Sequence, residues 1–416
     1  MAGTRSGAAL PRTIAMRGRD PHEAGRAATP LELLFDLTFV IAFGQAASEL
    51  AHALAEGHVA TGLIGFAFAM FAVCWAWVNF SWFTSAFDTD DWLFRVVTMV
   101  QMVGVLILAL GLPRMFASLE HGAHLDNGIM VLGYVVMRLA MVFQWLRAAR
   151  QCPEQRRTCL AYAAAITLAQ VGWVFQMVLH LPVGTAFALA VPLILIEMAG
   201  PVLAERFGEG TPWHAHHIAE RYGLLALIAL GEGVIGTVAT VSAIVEHQGW
   251  SLDALLVCVA GMGLTFGMWW VYFMLPSAVI LHAHRQRAFV WGYGHMLIFA
   301  AIAATGAGLH VAALFIEAKA HVGGLATMLT VAVPVGLFLL LVYALYTYLM
   351  RVYDPLHGWL LAGTAAVVLL SVALAAAGVD MAKCLIVLML APVVTVVGYE
   401  GIGHRHKAEA LGEGHA

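Results

Sequence analysis

Long apolar blocks alternate with short polar interruptions along the whole chain. The blocks run at about 31–55, 58–83, 92–117, 127–149, 157–180 and 183–204. After a polar stretch at 205–216 (ERFGEGTPWHAH) they resume at 217–243, 250–281, 288–311, 322–350, 357–377 and 381–402. Each holds roughly the 20 apolar residues that an α-helix needs to cross a bilayer, and none shows the ten-residue alternating pattern of a membrane barrel strand. The pattern predicts an all-α polytopic membrane protein of about twelve transmembrane helices in two sets of six. The gaps at 180–183 and 377–381 are short enough to leave re-entrant helices as an alternative there.

Composition fits a chain whose solvent is lipid. Of 416 residues 62% are hydrophobic and 11% charged, and mean hydropathy is +0.85, too apolar to cover a water-facing surface. A net charge of −4 excludes a basic nucleic-acid surface. The five cysteines are odd in number and four lie inside apolar blocks, so no disulfide framework is expected. Basic residues orient the chain: Arg5, Arg12, Arg17, Arg19, Arg26, Arg147, Arg150, Arg156, Arg157, Arg206, Arg285, Arg287, Arg351, Arg405 and Lys407 fall on one side, with Arg114, Lys319 and Lys383 on the other. By the positive-inside rule both termini are cytoplasmic in a bacterial inner membrane. Residues 1–29 carry arginines but no apolar signal segment and read as a mobile cytoplasmic tail, and 403–416 as a histidine-rich cytoplasmic tail.

The halves also resemble each other. Phe35–Gln45 aligns with Tyr222–Glu232, placing Gly44 over Gly231 and Gln45 over Glu232; Trp77-Val78-Asn79-Phe80 lies over Trp270-Val271-Tyr272-Phe273, and Gln101-Met102 over His295-Met296. An even number of helices separates the copies, so the repeats, 30–204 and 217–402 about a cytoplasmic linker at 205–216, are expected to be parallel, with spans one and seven facing each other.

Ionisable groups inside a span cost several kcal/mol and call for a partner or a wet cavity. In span one Glu32 and Asp36 share a face, one turn apart, while Gln45 and Glu49 fall on a second stripe with Thr38, Ser48 and His52. Glu32 equally fits a charge completing the helix dipole at the interface. Span seven opens with Glu220-Arg221 and places Glu232 between Gly231 and Gly233, where missing side chains let a backbone, a water file or a ligand approach the carboxylate. Arg138 in span four needs a carboxylate, with Glu232, Glu197 and Asp36 as candidates. Gln101, His295 and Asn79 add neutral groups near mid-span, of the kind that join helices. Histidine clusters at 213–217, 282–284 and 404–406 lack HExxH or CxxC companions and read as solvated interfacial residues rather than metal ligands.

No phosphate-binding G-x-x-x-x-G-K-[ST] and no G-x-S-x-G nucleophile elbow is present, so neither ATP hydrolysis nor common hydrolase chemistry is expected, and no cofactor. Thr29–Val40 (TPLELLFDLTFV), with Glu220-Arg221-Tyr222-Gly223 and Leu230-Gly231-Glu232, resembles the bacterial low temperature requirement protein A family. The resemblance covers about residues 29–402 and implies a multispanning membrane topology. It carries Glu32 and Asp36 onto the family's L-E-L-F-F-D element, and Glu220, Arg221, Gly231 and Glu232 onto its E-R-x-x-x-x-x-x-x-L-G-E element. A fainter similarity is to two-repeat potassium and proton channels; here the Arg-x-x-x-Phe-Ser-Asp element of those channels is reduced to Phe35-Asp36. The functional expectation is secondary transport or permeation of a small solute or ion, coupled to protons or membrane potential, through Glu32, Asp36, Gln45, Glu49, Gln101, Arg138, Glu220, Arg221, Glu232 and His295. A two-repeat channel and an intramembrane enzyme or lipid-handling protein are the alternatives. Membrane lipids are the expected surroundings, and a homo-oligomer is left open.

Overall fold

A computed structural model describes residues 13–351 and 355–403. The helices are α1 Pro30–Ala55, α2 Val59–Phe87, α3 Trp92–His121, α4 Gly128–Gln151, α5 Arg156–Val178, α6 Val183–Phe207, α7 Ala215–Gln248, α8 Leu252–Phe273, the short α9 Ser277–Ala283, α10 Ala288–Ile316, α11 Gly324–Met350, α12 Pro355–Ala376 and α13 Met381–Gly398. With α8 and α9 taken as one span, twelve are long and apolar enough to cross a membrane among the described residues, which contain no sheet. The histidine-rich segment 404–406 lies outside them.

The expected spans are present, with one difference in the eighth. The apolar block at 250–281 predicts one continuous helix, but α8 stops at Phe273 and α9 starts at Ser277. Pro276 lies in the break: it supplies no N–H to the helix ladder and disfavours helical geometry at Leu275. At 180–183 and 377–381 the chain makes tight turns between full-length helices.

The face of the bundle where α1 begins is called proximal below, and the opposite face distal. In the first half α1 packs on α2 and α3, then α3 on α4, α4 on α5 and α5 on α6. In the second, α7 packs on α8 and α10, then α10 on α11, α11 on α12 and α12 on α13, and α13 packs closely back on α8, where the first half has no equally close α2/α6 packing. The halves meet through α1, α2, α7 and α10. Of all the spans α10 is the most enclosed, and α6 and α12 are the most open to the surroundings. Small residues allow the close crossing of α7 and α10. A Cβ at Gly306 would lie 2.6 Å from the Glu232 carbonyl, one at Gly236 would lie 2.6 Å from the Gly306 carbonyl, and the Thr240 hydroxyl donates to the Leu309 carbonyl at 2.8 Å.

Residues 13–29, expected as part of a mobile tail, lie along the proximal face. The Ile14 N–H donates to Asp91 at 2.9 Å, the Ile14 carbonyl accepts from Arg147 at 2.9 Å, and the Arg19 N–H donates to the Ala86 carbonyl at 2.9 Å. Asp91 also caps α3 by accepting from Phe94 N–H at 2.8 Å and pairs with Arg147 of α4. The arm thus has fixed acceptors and donors among the helix ends, which the sequence pattern could not reveal.

Next to this arm, Asp88 follows α2 and is buried. Burial, with the nearby charge of Glu32, pushes its carboxyl up to about 6, and Arg26 offsets this only in part. The folded protein holds that proton more tightly than the unfolded chain, so Asp88 favours folding at low pH, and the contribution is lost as pH rises through 6. Asp88→Asn, which imitates the protonated acid, is expected to be more stable than the parent at pH 8 by on the order of 1–3 kcal/mol, with the gap closing toward pH 4. Thermal unfolding across this range checks it; an equal gap at pH 5 and pH 8 would contradict the assignment.

Candidate functional site

The start of α1 is built to meet α7. Thr29 caps α1 and Pro30 occupies its first turn, while Glu32 closes a capping box by accepting from the Thr29 N–H at 2.8 Å. That bond uses one carboxylate oxygen, which also faces His217 Nε2 at 3.2 Å; the other lies 2.7 Å from Arg221 Nη1. One turn along, Asp36 accepts from Arg221 Nη2 at 2.6 Å and from Nε at 3.2 Å. Arg221 therefore spans both carboxylates of the α1 face. The Trp77 indole donates at 2.7 Å to Asp36 Oδ1, the oxygen that also receives Nη2. Arg221, Glu32, Asp36, His217 and Trp77 are all fully buried.

The face-to-face arrangement of α1 and α7 thus takes the form of an ion-paired seam. His217, read from sequence as a solvated loop histidine, is a buried member of it. The correction has a local cause: α7 begins at Ala215, with His214 as its cap, so His217 stands in the first turn and faces α1. The ring of His214 accepts from the His217 N–H at 3.2 Å through Nδ1, and its Nε2 faces the Glu23 carbonyl at 2.9 Å. Burial lowers the His214 pKa below its ordinary value, in keeping with a neutral ring that can accept.

A second buried charge pair lies in the first half. Arg138 of α4 meets Glu197 of α6 at 3.1 Å, which selects Glu197 from its three candidate partners. Glu197 also accepts from the Tyr134 hydroxyl at 2.8 Å, the Trp75 indole at 2.7 Å and the Trp173 indole at 3.3 Å. Trp75 and Trp77 are two residues apart on α2, hence about 200° apart around its axis. One serves Glu197 of α6 and the other Asp36 of α1.

Glu232 stands apart from both clusters. It is 6% exposed and has no hydrogen-bond or ion-pair partner among the described residues. Eleven residues separate it from Arg221, close to three helical turns, so the two share a face of α7 about 16 Å apart along the axis. A Cβ at Gly44 of α1 would lie 3.2 Å from its carboxylate, and Gly306 of α10 abuts its backbone. Its own flanking glycines serve otherwise: Gly233 leaves room for Thr265 of α8, and Gly231 faces open space.

The remaining candidates are spread out. Gln45 donates to Glu49 at 2.8 Å within the distal half of α1, both half-buried. Glu220 is exposed and accepts from the Ala28 N–H at 3.1 Å. His295 is fully buried among Tyr222, Tyr272, Trp291 and Phe299, with Nδ1 on the Trp291 carbonyl at 2.7 Å and Nε2 without a partner. Gln101 is buried in α3 and its amide nitrogen also has no partner. Histidines 22, 214, 216 and 282 approach one another at the proximal face, their successive ring centroids 5.4–5.9 Å apart. Among the described residues no group of three or more His, Cys, Asp or Glu is placed to hold a metal ion.

The sequence profile of the bacterial low temperature requirement A protein (LtrA) matches residues 27–392. The chain belongs to the LtrA family. Its membership and its twelve apolar helices make it a multi-pass membrane protein of bacterial type. A relative of this LtrA protein is the uncharacterized protein RA0937 of Rhizobium meliloti (strain 1021), 25% identical over 302 residues that cover 67% of each chain. No solved structure matches it significantly. The matched region contains both buried ion-pair clusters of the LtrA chain and Glu232.

The sequence did not bring out a cleft on the proximal side, between α2, α4, α5, α6 and the start of α10. Its cavity measures about 50 Å³ and is lined by Trp75, Trp82, Trp145, Trp213, Tyr162 and Tyr293, with Arg285 and Glu205 as its charged groups. These residues come from separate parts of the chain at no regular spacing. The only advance signal was the density of tryptophan at 75–82.

Proposed function

We propose that this LtrA family member is a secondary transporter of a small solute or ion, with its proximal face in the cytoplasm and its transport step coupled to protonation of Glu232. The observation that carries the reading is the isolation of Glu232: a buried carboxylate midway along a 34-residue helix, without a partner, against a glycine of the facing helix. An unpaired carboxylate within the bilayer is costly unless it exchanges a proton or meets a cation, and such residues mark ion and proton pathways. Polar groups continue the α1/α7 seam on both sides, the Arg221 cluster proximally and Gln45–Glu49 distally. The Arg221 cluster closes the proximal end of this route, and breaking and remaking its ion pairs is the natural gate. The serial packing α3–α4–α5–α6 of the first half and α10–α11–α12–α13 of the second supports two parallel repeats that rock about the α1/α7/α10 interface, with the close α8/α13 packing peculiar to the second half.

The test is proton flux in proteoliposomes containing a pH-sensitive dye, driven by an imposed voltage or pH gradient. Glu232→Gln imitates the protonated acid and leaves no opposite charge stranded. It is expected to keep thermal stability within about 1 kcal/mol and to abolish the pH dependence of flux. A variant with parental stability and parental pH-dependent flux removes Glu232 from the mechanism.

A further inference from the structure

The proximal cleft differs in character from the Glu232 seam. Its walls are mainly aromatic: Trp145 stacks on Tyr162 at 4.1 Å, Trp82 meets Trp213 edge to face at 4.9 Å, and Trp75 meets Tyr293 edge to face at 5.3 Å. Its two charges are unequally committed. Glu205 already accepts from the Tyr162 hydroxyl at 2.9 Å, the Thr211 N–H at 2.9 Å and the Thr211 hydroxyl at 2.7 Å. The Arg285 guanidinium carbon lies 3.8 Å from the centre of the Trp213 ring, and Nη2 donates to the Trp213 carbonyl at 2.9 Å. A guanidinium carries five N–H donors, and the other four have no acceptor among the described residues.

The cleft therefore combines aromatic walls, a satisfied carboxylate and a guanidinium over an indole ring with donors to spare. The missing complement to the donors is an anion with two acceptor oxygens in one plane, which a carboxylate supplies by bidentate pairing. The complement to the rings is a flat apolar body, favoured over a puckered one by offset stacking and edge-to-face contact. We propose that this cleft binds a planar aromatic carboxylate of one or two rings, with the carboxylate on Arg285 and the ring among Trp82, Trp213 and Tyr293. Trp75 also lines the cleft and its indole donates to Glu197, so one side chain separates the ligand from the partner of Arg138. The site is separate from Glu232, and binding is read without transport, so the failure of either proposal leaves the other standing.

The experiment uses the purified full chain in nanodiscs, with tryptophan fluorescence and calorimetry as readouts and three probes: 2-naphthoate, its neutral amide 2-naphthamide, and cyclohexanecarboxylate. Expected is saturable binding of 2-naphthoate that quenches fluorescence and raises the unfolding temperature. The amide, lacking the charge, and cyclohexanecarboxylate, lacking the flat ring, are each expected to bind about tenfold more weakly or worse. Arg285→Gln should lower naphthoate affinity by about tenfold or more while leaving the amide unchanged, and Arg285→Lys, which keeps the charge but not the planar fork, should fall between. If Arg285→Gln does not fold, the order of the three probes on the parent protein and the Arg285→Lys value still decide. Equal affinity for acid and amide, or an Arg285 variant with parental naphthoate binding, overturns the assignment. So does a co-purified phospholipid that native mass spectrometry finds and naphthoate does not displace.

Discussion

Arg221→Met is expected to destabilise the protein by about 3–5 kcal/mol, because one substitution strips the counter-charge from two buried carboxylates at once. Glu32 would keep His217 and the Thr29 N–H, and Asp36 would keep only the Trp77 indole. Neither position has water within reach to replace the guanidinium, since all the groups concerned are fully buried. The measurement is the unfolding temperature in a fixed detergent, with the yield of monodisperse protein beside it. Adding Asp36→Asn to Arg221→Met should recover part of the loss, and the non-additivity of that double-mutant cycle reports the coupling of the pair directly. An Arg221→Met protein that melts with the parent would mean that the α1/α7 seam does not hold the halves together.

The Arg138–Glu197 pair should respond asymmetrically. Glu197→Leu leaves Arg138 with only the Tyr134 hydroxyl and orphans the Trp75 and Trp173 indole N–H groups, a loss again of about 3–5 kcal/mol. Arg138→Met leaves Glu197 still accepting from Tyr134, Trp75 and Trp173, three neutral donors that solvate a carboxylate in place of water, so its cost should be smaller. Comparing the two unfolding temperatures checks the order. The reverse order would show that the indoles do not act as the carboxylate's solvent.

What the sequence revealed of this fold follows from the range over which each signal acts. Span positions are legible because a membrane helix announces itself within its own 20 residues, and the α1/α7 meeting because the repeat alignment pairs these two spans; that Arg221 bridges Glu32 and Asp36 is not legible, since no local spacing joins groups at least 185 residues apart. Nor was the partner of Arg138, since three carboxylates were equally eligible and only packing of α4 against α5 and of α5 against α6 brings Glu197 into place. His217 looked like its loop neighbours because a helix start cannot be fixed to within one turn from hydropathy alone. The aromatic cleft was out of reach for a further reason. Its walls come from five helices, and no local spacing encodes their convergence.

The capping box of α1 has a consequence for how the chain is made. Glu32 both closes the first turn of the first helix and receives Arg221, which is synthesised 189 residues later. At about 5–20 residues per second, roughly 10–40 s pass during which Glu32 and Asp36 sit at the membrane without their cation. The nascent first half thus holds Glu32 and Asp36 with the Thr29 cap and the Trp77 indole already made but without the guanidinium that bridges them in the finished protein. Biogenesis of the protein therefore contains a waiting step, timed by translation, that ends when the ribosome delivers an arginine.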